Sequence, residues 1–383
     1  MKPPHKIDPK DLLFLDGMRG LAALFVMMGH ARLLVWEGFS GGYLNHPEHY
    51  NTFNKMLVYF FSFFATKYGH QAVLFFFVLS GFLIHLKYAN RLSANPNHKF
   101  DLTNYLGRRL RRIYPPLIFA LLLTTLLDYT GRNISAPTYD LRAASELSFY
   151  HLDTNFDVRT FLGNLFFLNE TYVPNFGSNG PLWSLKYEWW FYIFYPLFYL
   201  VNRKSSVASL GIMAVLYILS FFPTIMPVLL LRDIFSMMVC WWLGVFLADV
   251  YTGRVKIPFK YLAVFILFVP LNFIITFTPT WEINDVLFAL GFFGLLAFCF
   301  WMKEKGYDLK ILSKLKWLGD CSYTLYVIHF PILMLLGVIV ASHNGGRLPS
   351  SFIFMIGGMI LCVVLAHLFH FITEKPFLVR KRK

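Results

Sequence analysis

Apolar residues recur along this chain in blocks of about 18 to 24, separated by polar segments. The blocks lack both the alternation of a β-strand and the one-sided pattern of an amphipathic helix, and most are long enough to cross a bilayer. We therefore predict an all-α polytopic membrane protein with about ten transmembrane helices. The predicted spans are residues 13–36, 69–88, 113–129, 181–201, 206–222, 232–251, 260–278, 284–302, 319–341 and 350–373.

Composition and charge support this class. Hydrophobic residues make up 57% of the 383 residues, and only 15% are charged. The net charge of +14 would suggest nucleic acid as partner of a soluble protein, but here Lys and Arg crowd into alternate loops. That asymmetry predicts cytoplasmic termini, with a basic cytoplasmic loop at 89–112 and a basic tail at 374–383, and no nucleic-acid partner. The four cysteines form neither a disulfide framework nor a metal pattern.

Two segments assigned to the outside are long, residues 37–68 and 130–180. In the first, the apolar run at 56–65 is too short to span and predicts an interfacial or re-entrant helix. In the second, residues 158–168 look helical and precede a turn-rich stretch. Ordered loops of this length are more often functional than decorative, so we expect both segments to contribute to a site.

The first span contains an Asp, an Arg and a His within an apolar run. Ionisable groups in hydrocarbon are costly unless they are paired or face water, so membrane proteins seldom keep them without a use. Arg19 and His30 are eleven residues apart, which places them on one helix face about 16 Å apart along the axis. Asp16 lies three residues before Arg19, where a helical salt bridge can form.

The fourth span carries Glu188 at a depth that matches that of His30. If the two meet, the carboxylate can orient the imidazole for general-base catalysis. The alternative is a structural buried pair that sets helix register. Lys186, two residues nearer the outside, is expected to reach the outer interface, and Trp183 is compatible with an aromatic belt.

Arginines cluster between the second and third spans. On a helix, Arg109 and Arg112 form one basic ridge and Arg108 belongs to its neighbour. The cluster is either a phosphate clamp, since guanidinium groups bind phosphate oxygens bidentately, or an anchor for anionic headgroups. Within the second span, Ser80 and Gly81 interrupt the large apolar residues, and the simplest interpretation of Gly81 is close helix packing.

His329 also lies inside a span, the ninth. It is a second base, a substrate contact, or only the hydrogen-bonded helix partner of a tyrosine, and the residues alone leave these alternatives open. His46 and His49 are three apart in an outer segment, but without a further ligand motif they are weak evidence for a metal. We predict no metal site.

With these motifs in view, the sequence resembles the membrane acyltransferase 3 family. The matching motifs are LDGMRGLAALFVMMGH, FFFVLSGFLI, RRLRRIYPP, GPLWSLKYEWWFYIFYPL, SYTLYVIHFPI and TEKPF, in family order across nearly the whole chain. The resemblance implies a single ten-span domain over residues 1–383 in the bacterial cytoplasmic membrane, without the additional hydrolase-like domain that many relatives carry. It also implies transfer of an acyl group, usually acetyl, from cytoplasmic acyl-CoA to a hydroxyl of an extracytoplasmic glycan such as O-antigen, peptidoglycan or exopolysaccharide.

The resemblance also assigns roles to residues. His30 looks like the catalytic histidine with Arg19 as its motif partner, Arg109 and Arg112 look like the donor-side pair, and Glu188 and Glu374 look like the acidic positions. From their place beside these residues we also expect Asp16 in the catalytic group with Glu188, and Arg108 among the donor-binding arginines. We expect Ser80 and Gly81 to line the path of the pantetheine arm, and we expect Trp183, Ser184, Tyr326 and His329 to contact the substrate. Glu374 and Pro376 of the last motif are expected to be structural.

The expected partners are acyl-CoA, a glycan or lipid-linked glycan acceptor and membrane lipids. Acetyl-CoA is a substrate, and no permanently bound cofactor is predicted. The oligomeric state is not predicted. The competing interpretation is a transporter or flippase for an anionic lipid-linked sugar, which would also use buried Arg, His and Glu. Such a protein would carry paired Gly or Pro breaks in two equivalent halves, and the sequence has no such symmetry.

Overall fold

The computed structural model describes residues 9–65, 68–145, 156–274 and 281–378. Within these ranges all regular elements are helical apart from one isolated bridge between Asn169 and Val173, which confirms the predicted all-α class. Residues 379–383, which include the last four basic residues of the tail, lie outside the described residues. In chain order the α-helices are α1 Leu13–Val35, α2 Thr52–Tyr59, α3 Gly69–Ala94, α4 Leu102–Ser145, α5 Val158–Leu165, α6 Trp183–Lys204, α7 Ser206–Ser220, α8 Leu229–Tyr251, α9 Phe259–Leu262, α10 Phe268–Ile274, α11 Trp281–Glu304, α12 Lys310–Lys314, α13 Lys316–Asp320, α14 Ser322–His343, α15 Ile353–Thr373 and α16 Lys375–Leu378.

Seven helices in the described ranges are long and apolar enough to cross a membrane, so the chain is a polytopic membrane protein. They coincide with predicted spans and involve α1, α3, α4, α8, α11, α14 and α15. The other predicted spans are helical too, but α7 and the segment 259–272 are shorter, and the tyrosines, tryptophans, Lys186 and Glu188 lower the mean hydropathy of α6. The count of ten and the cytoplasmic termini stay predictions.

The chain forms two compact units, each built from separate segments. Unit 1 comprises Met1–Arg19, Val73–Leu106 and Tyr187–Lys316, and unit 2 comprises Gly20–Ala72, Gly107–Lys186 and Trp317–Lys383. A single domain over residues 1–383 stays a prediction.

Helix α8 forms the centre of unit 1, because it is buried along nearly its whole length and packs against α7 and α11. Two glycines bring α3 and α8 close together. A Cβ on Gly244 would overlap the Val78 carbonyl oxygen, and one on Gly81 would overlap the Trp241 carbonyl oxygen. This geometry supports the packing interpretation of Gly81.

Helix α14 is the most buried helix of unit 2 and packs against α15. The turn at residues 175–181 is held on α4, because the Ser178 backbone N–H and Oγ donate to the two Asp128 carboxylate oxygens at 2.7 and 2.6 Å. Gly177 has a φ of +56°, and a Cβ there would overlap Asp128 and Thr124. The turn therefore requires glycine at this position.

Helix α4 differs most from its predicted span of 113–129. It begins at Leu102, so the basic motif lies within the helix and the arginine ridges expected there form. The helix is interrupted at Ser135, where φ is −159° and ψ is 87°. Pro137 follows two residues later and cannot donate the hydrogen bond that would continue the helix.

The two predicted outer segments are largely ordered. The run at 56–65 is helical, as expected, in the form of α2 followed by a π-helix, Phe60–Ala65. Large apolar side chains of α2 and the π-helix remain exposed at Phe53, Met56, Phe60 and Phe63, which are spaced as one helix face. Helix α5 ends at Leu165, earlier than predicted, because Phe167 and Glu170 adopt positive φ.

A proline lies inside α6 and another inside α14. Pro196 has no N–H, so the carbonyl of Tyr192, four residues earlier, loses its helical partner. The Tyr105 hydroxyl replaces that partner and donates to the Tyr192 carbonyl at 3.1 Å. A buried backbone carbonyl is thereby satisfied from a different helix.

The same arrangement occurs in α14 of unit 2. Pro331 leaves the Val327 carbonyl without a helical donor, and the Asn179 side-chain amide donates to it at 2.8 Å. Both prolines therefore couple their helix to a specific side chain in the same unit.

Removing the Tyr105 hydroxyl as Tyr105→Phe should lower the free energy of unfolding by about 1–3 kcal/mol, because the Tyr192 carbonyl is then buried without a donor. In a Pro196→Ala background the restored backbone N–H can bond that carbonyl, so the same substitution should cost less. Thermal unfolding of the purified protein in detergent measures both costs. Equal costs in the two backgrounds would contradict this role of the proline.

Candidate active site

His30 and His329 form a hydrogen-bonded pair in the interior of unit 2. Nδ1 of His30 lies 2.8 Å from Nε2 of His329, and the rings stack with centroids 5.1 Å apart. His30 comes from α1 and His329 from α14, and their side chains are 7% and 1% exposed. Both histidines stand out in the sequence as ionisable residues inside apolar spans, but no sequence pattern pairs them, because they are 299 residues apart in the chain.

The second nitrogen of His329 faces its own helix. Its Nδ1 lies 3.0 Å from the Leu325 carbonyl oxygen and 2.8 Å from the Tyr326 carbonyl oxygen. An aromatic ring packs against the other histidine, since the Phe330 ring meets the His30 ring at 75° with centroids 5.1 Å apart. Both imidazoles are therefore held in defined orientations.

One residue predicted to contact the substrate lies near this pair, since the ring centroids of Tyr326 and His329 are 6.0 Å apart. The Tyr326 hydroxyl donates to the Pro181 carbonyl at 3.0 Å, and it lies 2.6 Å from the Ser184 hydroxyl, with which it shares a hydrogen bond. Trp183, the preceding residue, stacks on His70 with ring centroids 5.2 Å apart. Ser184, Tyr326, His329 and His30 are thus grouped in one unit, while their contact with substrate stays a prediction.

Near the beginning of α1, Arg19 forms the expected salt bridge with Asp16. Its Nη2 lies 3.1 Å from Asp16 Oδ1, with side chains 16% and 28% exposed. The predicted i, i+3 contact is confirmed. A catalytic role for either residue stays a prediction.

Glu188 lies in unit 1, within a cluster of hydrogen-bonding side chains. The Tyr192 hydroxyl donates to Glu188 Oε1, and Ser80 Oγ donates to the same oxygen at 3.1 Å. Trp241 Nε1 donates to Ser80 at 3.3 Å. The described hydrogen bond of His30 goes to His329, so orientation of His30 by Glu188 stays a prediction, as does a pantetheine path along Ser80 and Gly81.

The donor-side arginines lie in the first part of α4. Arg108, Arg109 and Arg112 are all half-buried, and Arg112 Nη1 lies 3.9 Å from Oε1 of Glu374. Pro376 lies in the short helix α16 that follows Glu374. The acidic position of the last motif therefore contacts the basic ridge directly.

Glu374 is almost fully buried and is hydrogen-bonded through its second oxygen. Thr324 Oγ1 donates to Oε2 at 3.0 Å, and His370 Nδ1 lies 3.2 Å from the same atom. Burial alone would raise the pKa of the Glu374 carboxyl, but the His370 hydrogen bond and the Arg112 charge outweigh burial and hold the pKa below its ordinary value. Glu374 is therefore a buried anion that lies close to the Arg112 guanidinium.

Two buried polar groups were missed in the sequence. In unit 1, His85 bonds Tyr195 at 2.7 Å and Asp249 at 2.8 Å, and Arg254 pairs with the same carboxylate. The other group is Asp128 of α4, which holds the turn at 175–181. Ionisable residues inside predicted spans were the available signal, the same signal that identified His30.

The expectation for Lys186 is wrong. Its side chain is only 1% exposed, and Nζ donates to Thr171 Oγ1 at 3.0 Å, so it points into the protein and not to the interface.

His46 and His49 of segment 37–68 both lie near one acidic residue, Glu48. Glu48 Oε1 lies 3.4 Å from His46 Nδ1 and 3.8 Å from His49 Nε2. The Arg347 guanidinium lies 3.2 Å from the other nitrogen of His46, where its positive charge opposes a cation. The arrangement adds little to the weak sequence evidence for a metal.

Comparison with known proteins identifies relatives. A family described as an acyltransferase domain matches residues 12–367. The O-acetyltransferase OatA of Staphylococcus aureus is 23% identical over 403 residues, covering 98% of this chain and 58% of OatA. The peptidoglycan O-acetyltransferase OatA of Listeria monocytogenes is 27% identical over 315 residues, covering 73% of this chain and 47% of that protein. The chain thus spans about half the length of these relatives. No solved structure matches.

Replacing Glu374 with Gln should lower the melting temperature at pH 7, with a loss of about 1–3 kcal/mol in unfolding free energy. Because the pKa of Glu374 is depressed in the folded state, its stabilising contribution is present above the ordinary pKa of about 4.3 and disappears as pH falls through the folded pKa. The deficit of Glu374→Gln should therefore shrink in acid. Glu304→Gln, at the exposed end of α11, is the control and should melt like the wild type. A deficit that is constant with pH would contradict a buried anion.

Proposed function

This chain belongs to the acyltransferase 3 family, and we propose that it is a membrane O-acyltransferase. It moves an acyl group, acetyl in the simplest case, from cytoplasmic acyl-CoA to a hydroxyl of an extracytoplasmic glycan. The family match and the names of the two relatives, both O-acetyltransferases, support the reaction class. The membrane-spanning helices provide a protein that can connect a donor on one side with an acceptor on the other.

The observation that carries this proposal is the buried His30 in its hydrogen-bonded pair with His329. A neutral imidazole is the usual general base near neutral pH. His30 takes the proton of the acceptor hydroxyl, whose oxygen attacks the thioester carbonyl carbon. The carbon–sulfur bond then breaks, and the CoA thiolate leaves and takes up the proton from the His30 imidazolium. Atoms and charges balance without a further reactant.

The donor is held by the arginines of α4. Arg109 and Arg112 point guanidinium groups at the CoA phosphates, with Arg108 alongside, and Glu374 keeps Arg112 in position. His30 follows Arg19 by about three helical turns, so a donor bound near the beginning of α1 reaches the base with its thioester end. A path of the pantetheine arm along Ser80 and Gly81 stays a prediction, and Gly81 itself packs against the Trp241 carbonyl.

The acceptor enters from the outer side. Trp183 offers an aromatic face for a sugar ring, and Ser184 and Tyr326 offer hydroxyl groups beside His30 and His329. Segments 37–68 and 130–180 form the entrance for a glycan or lipid-linked glycan. The protein acts in the cytoplasmic membrane of a bacterium, with both termini in the cytoplasm.

The test is mass spectrometry of surface polysaccharide from cells that lack the endogenous gene and express the wild type, His30→Ala or Arg109→Ala. The wild type should add an acyl mass increment, and both variants should lose it, because a general base contributes about 10²-fold or more to the rate and a phosphate clamp is needed for donor binding. His343→Ala, an exposed histidine of α14, and Arg111→Ala, an exposed arginine of α4, are matched controls that should retain the increment.

Equal acylation by wild type and His30→Ala at similar membrane levels would refute His30 as the base. Polysaccharide that is never acylated, but changes in amount at the surface, would instead support transport. In isolated membranes, labelled acetyl-CoA without acceptor should leave no label on the protein, since transfer is direct. Label on His30 would replace direct transfer by an acyl-histidine intermediate.

A further inference from the structure

We propose that His329 is a positioning residue that fixes the tautomer of His30, so that Nε2 of His30 is the nitrogen that accepts the substrate proton. The inference rests on the proposed function for its catalytic meaning, but the tautomer itself is a property of the protein alone. It gives His329 the place that an Asp or Glu occupies beside a catalytic histidine.

The hydrogen bonds of His329 determine which of its ring nitrogens carries the proton. Its Nδ1 lies at hydrogen-bond distance from the carbonyl oxygens of Leu325 and Tyr326. A carbonyl oxygen can only accept, so Nδ1 must carry the proton. In a neutral ring this leaves the lone pair on Nε2 of His329, and that atom is the one facing His30.

The tautomer of His329 in turn determines the tautomer of His30. Of the two nitrogens that face each other at 2.8 Å, one must donate, and Nε2 of neutral His329 can only accept. Nδ1 of His30 therefore carries its proton, and Nε2 of His30 carries the lone pair. The pair is neutral as a whole, which is the least costly state for two imidazoles among apolar helices.

The helix around His329 is held in place by hydrogen bonds, which fix the orientation of its imidazole. Its helix carries Pro331 two residues later, and the Val327 carbonyl freed by that proline is bonded by Asn179. Tyr326, whose carbonyl accepts from His329, is itself held by Ser184. The His329 imidazole is thus aimed by backbone atoms whose own positions are fixed by hydrogen bonds from the 175–184 region.

During the reaction His329 neither gains nor loses a proton. The acceptor hydroxyl proton moves to Nε2 of His30, and the resulting imidazolium keeps its Nδ1–H bond to Nε2 of His329. That bond becomes charge-assisted and is strengthened at the moment when positive charge develops. The proton then passes from His30 to the CoA thiolate, which restores the neutral pair.

Two amide substitutions separate this role from simple packing. In His329→Gln the side-chain oxygen can occupy the place of Nε2 and accept from His30, whereas in His329→Asn the side chain reaches only the place of Nδ1. With labelled acetyl-CoA and the polysaccharide fraction of the expressing cells as acceptor, kcat should fall by about 10²-fold in His329→Asn, and His329→Gln should recover most of it. KM for acetyl-CoA should change little in either variant.

A second measurement needs no activity. Nitrogen chemical shifts of the protein labelled on histidine distinguish a protonated from an unprotonated ring nitrogen, and the resonances lost in His30→Gln identify His30. In the wild type, Nδ1 of His30 should be protonated and Nε2 unprotonated. In His329→Asn this preference should be lost.

The outcomes are separable from the proposed function. A proton on Nε2 of His30 in the wild type would overturn the inference even if the protein is an active transferase. Wild-type kcat in His329→Asn would overturn it as well. If the wild type acylates no glycan but His30 has the expected tautomer, the proposed function fails while the positioning by His329 stands.

Discussion

The structure depends on one constraint, that hydrogen-bonding groups enclosed by apolar helices must find partners inside the protein. Three buried acceptors show how specific contacts meet it. Pro196 and Pro331 each free a backbone carbonyl, and in both cases a side chain supplies the donor. The Asp128 carboxylate receives two hydrogen bonds from Ser178. Because an unmet partner costs about 1–3 kcal/mol, these contacts determine which turn lies on which helix.

Much of the architecture follows from the sequence for the same reason. Long apolar blocks can be satisfied only as helices in a bilayer, so their positions predict α1, α3, α8, α11, α14 and α15 well. Helix boundaries that depend on single residues were harder to predict. The start of α4 lies before its apolar stretch because Arg and Tyr are also good enough helix formers, and its break at Ser135 depends on Pro137.

The candidate site illustrates a different limit. Sequence spacing relates residues on one helix, which is why the Asp16–Arg19 bridge could be predicted. Sequence spacing does not tell how one helix is rotated about its axis relative to another helix, and therefore which side chains of the two helices meet. Matching depth suggested Glu188 as the partner of His30, but depth is shared by every residue at the same level of the bilayer. The contact of His30 with His329 depends on which faces of α1 and α14 meet. The pair of His85 and Asp249 could not be predicted for the same reason.

In the proposed mechanism a histidine, His329, lies beside the base His30 where many enzymes have a carboxylate, and a histidine suits this environment. A carboxylate in that place would have to be buried as an anion, and its desolvation would cost several kcal/mol before any reaction begins. A neutral imidazole has no such cost, yet its lone pair accepts the same hydrogen bond and selects the same tautomer. The disadvantage is weaker stabilisation of the imidazolium, since no negative charge opposes it. A thioester requires less help from the base than an amide, because the thiolate leaves readily once the hydroxyl oxygen attacks. In the proposed mechanism the His30–His329 pair therefore stabilises the transition state less than a histidine–carboxylate pair would, but its resting state carries no buried charge.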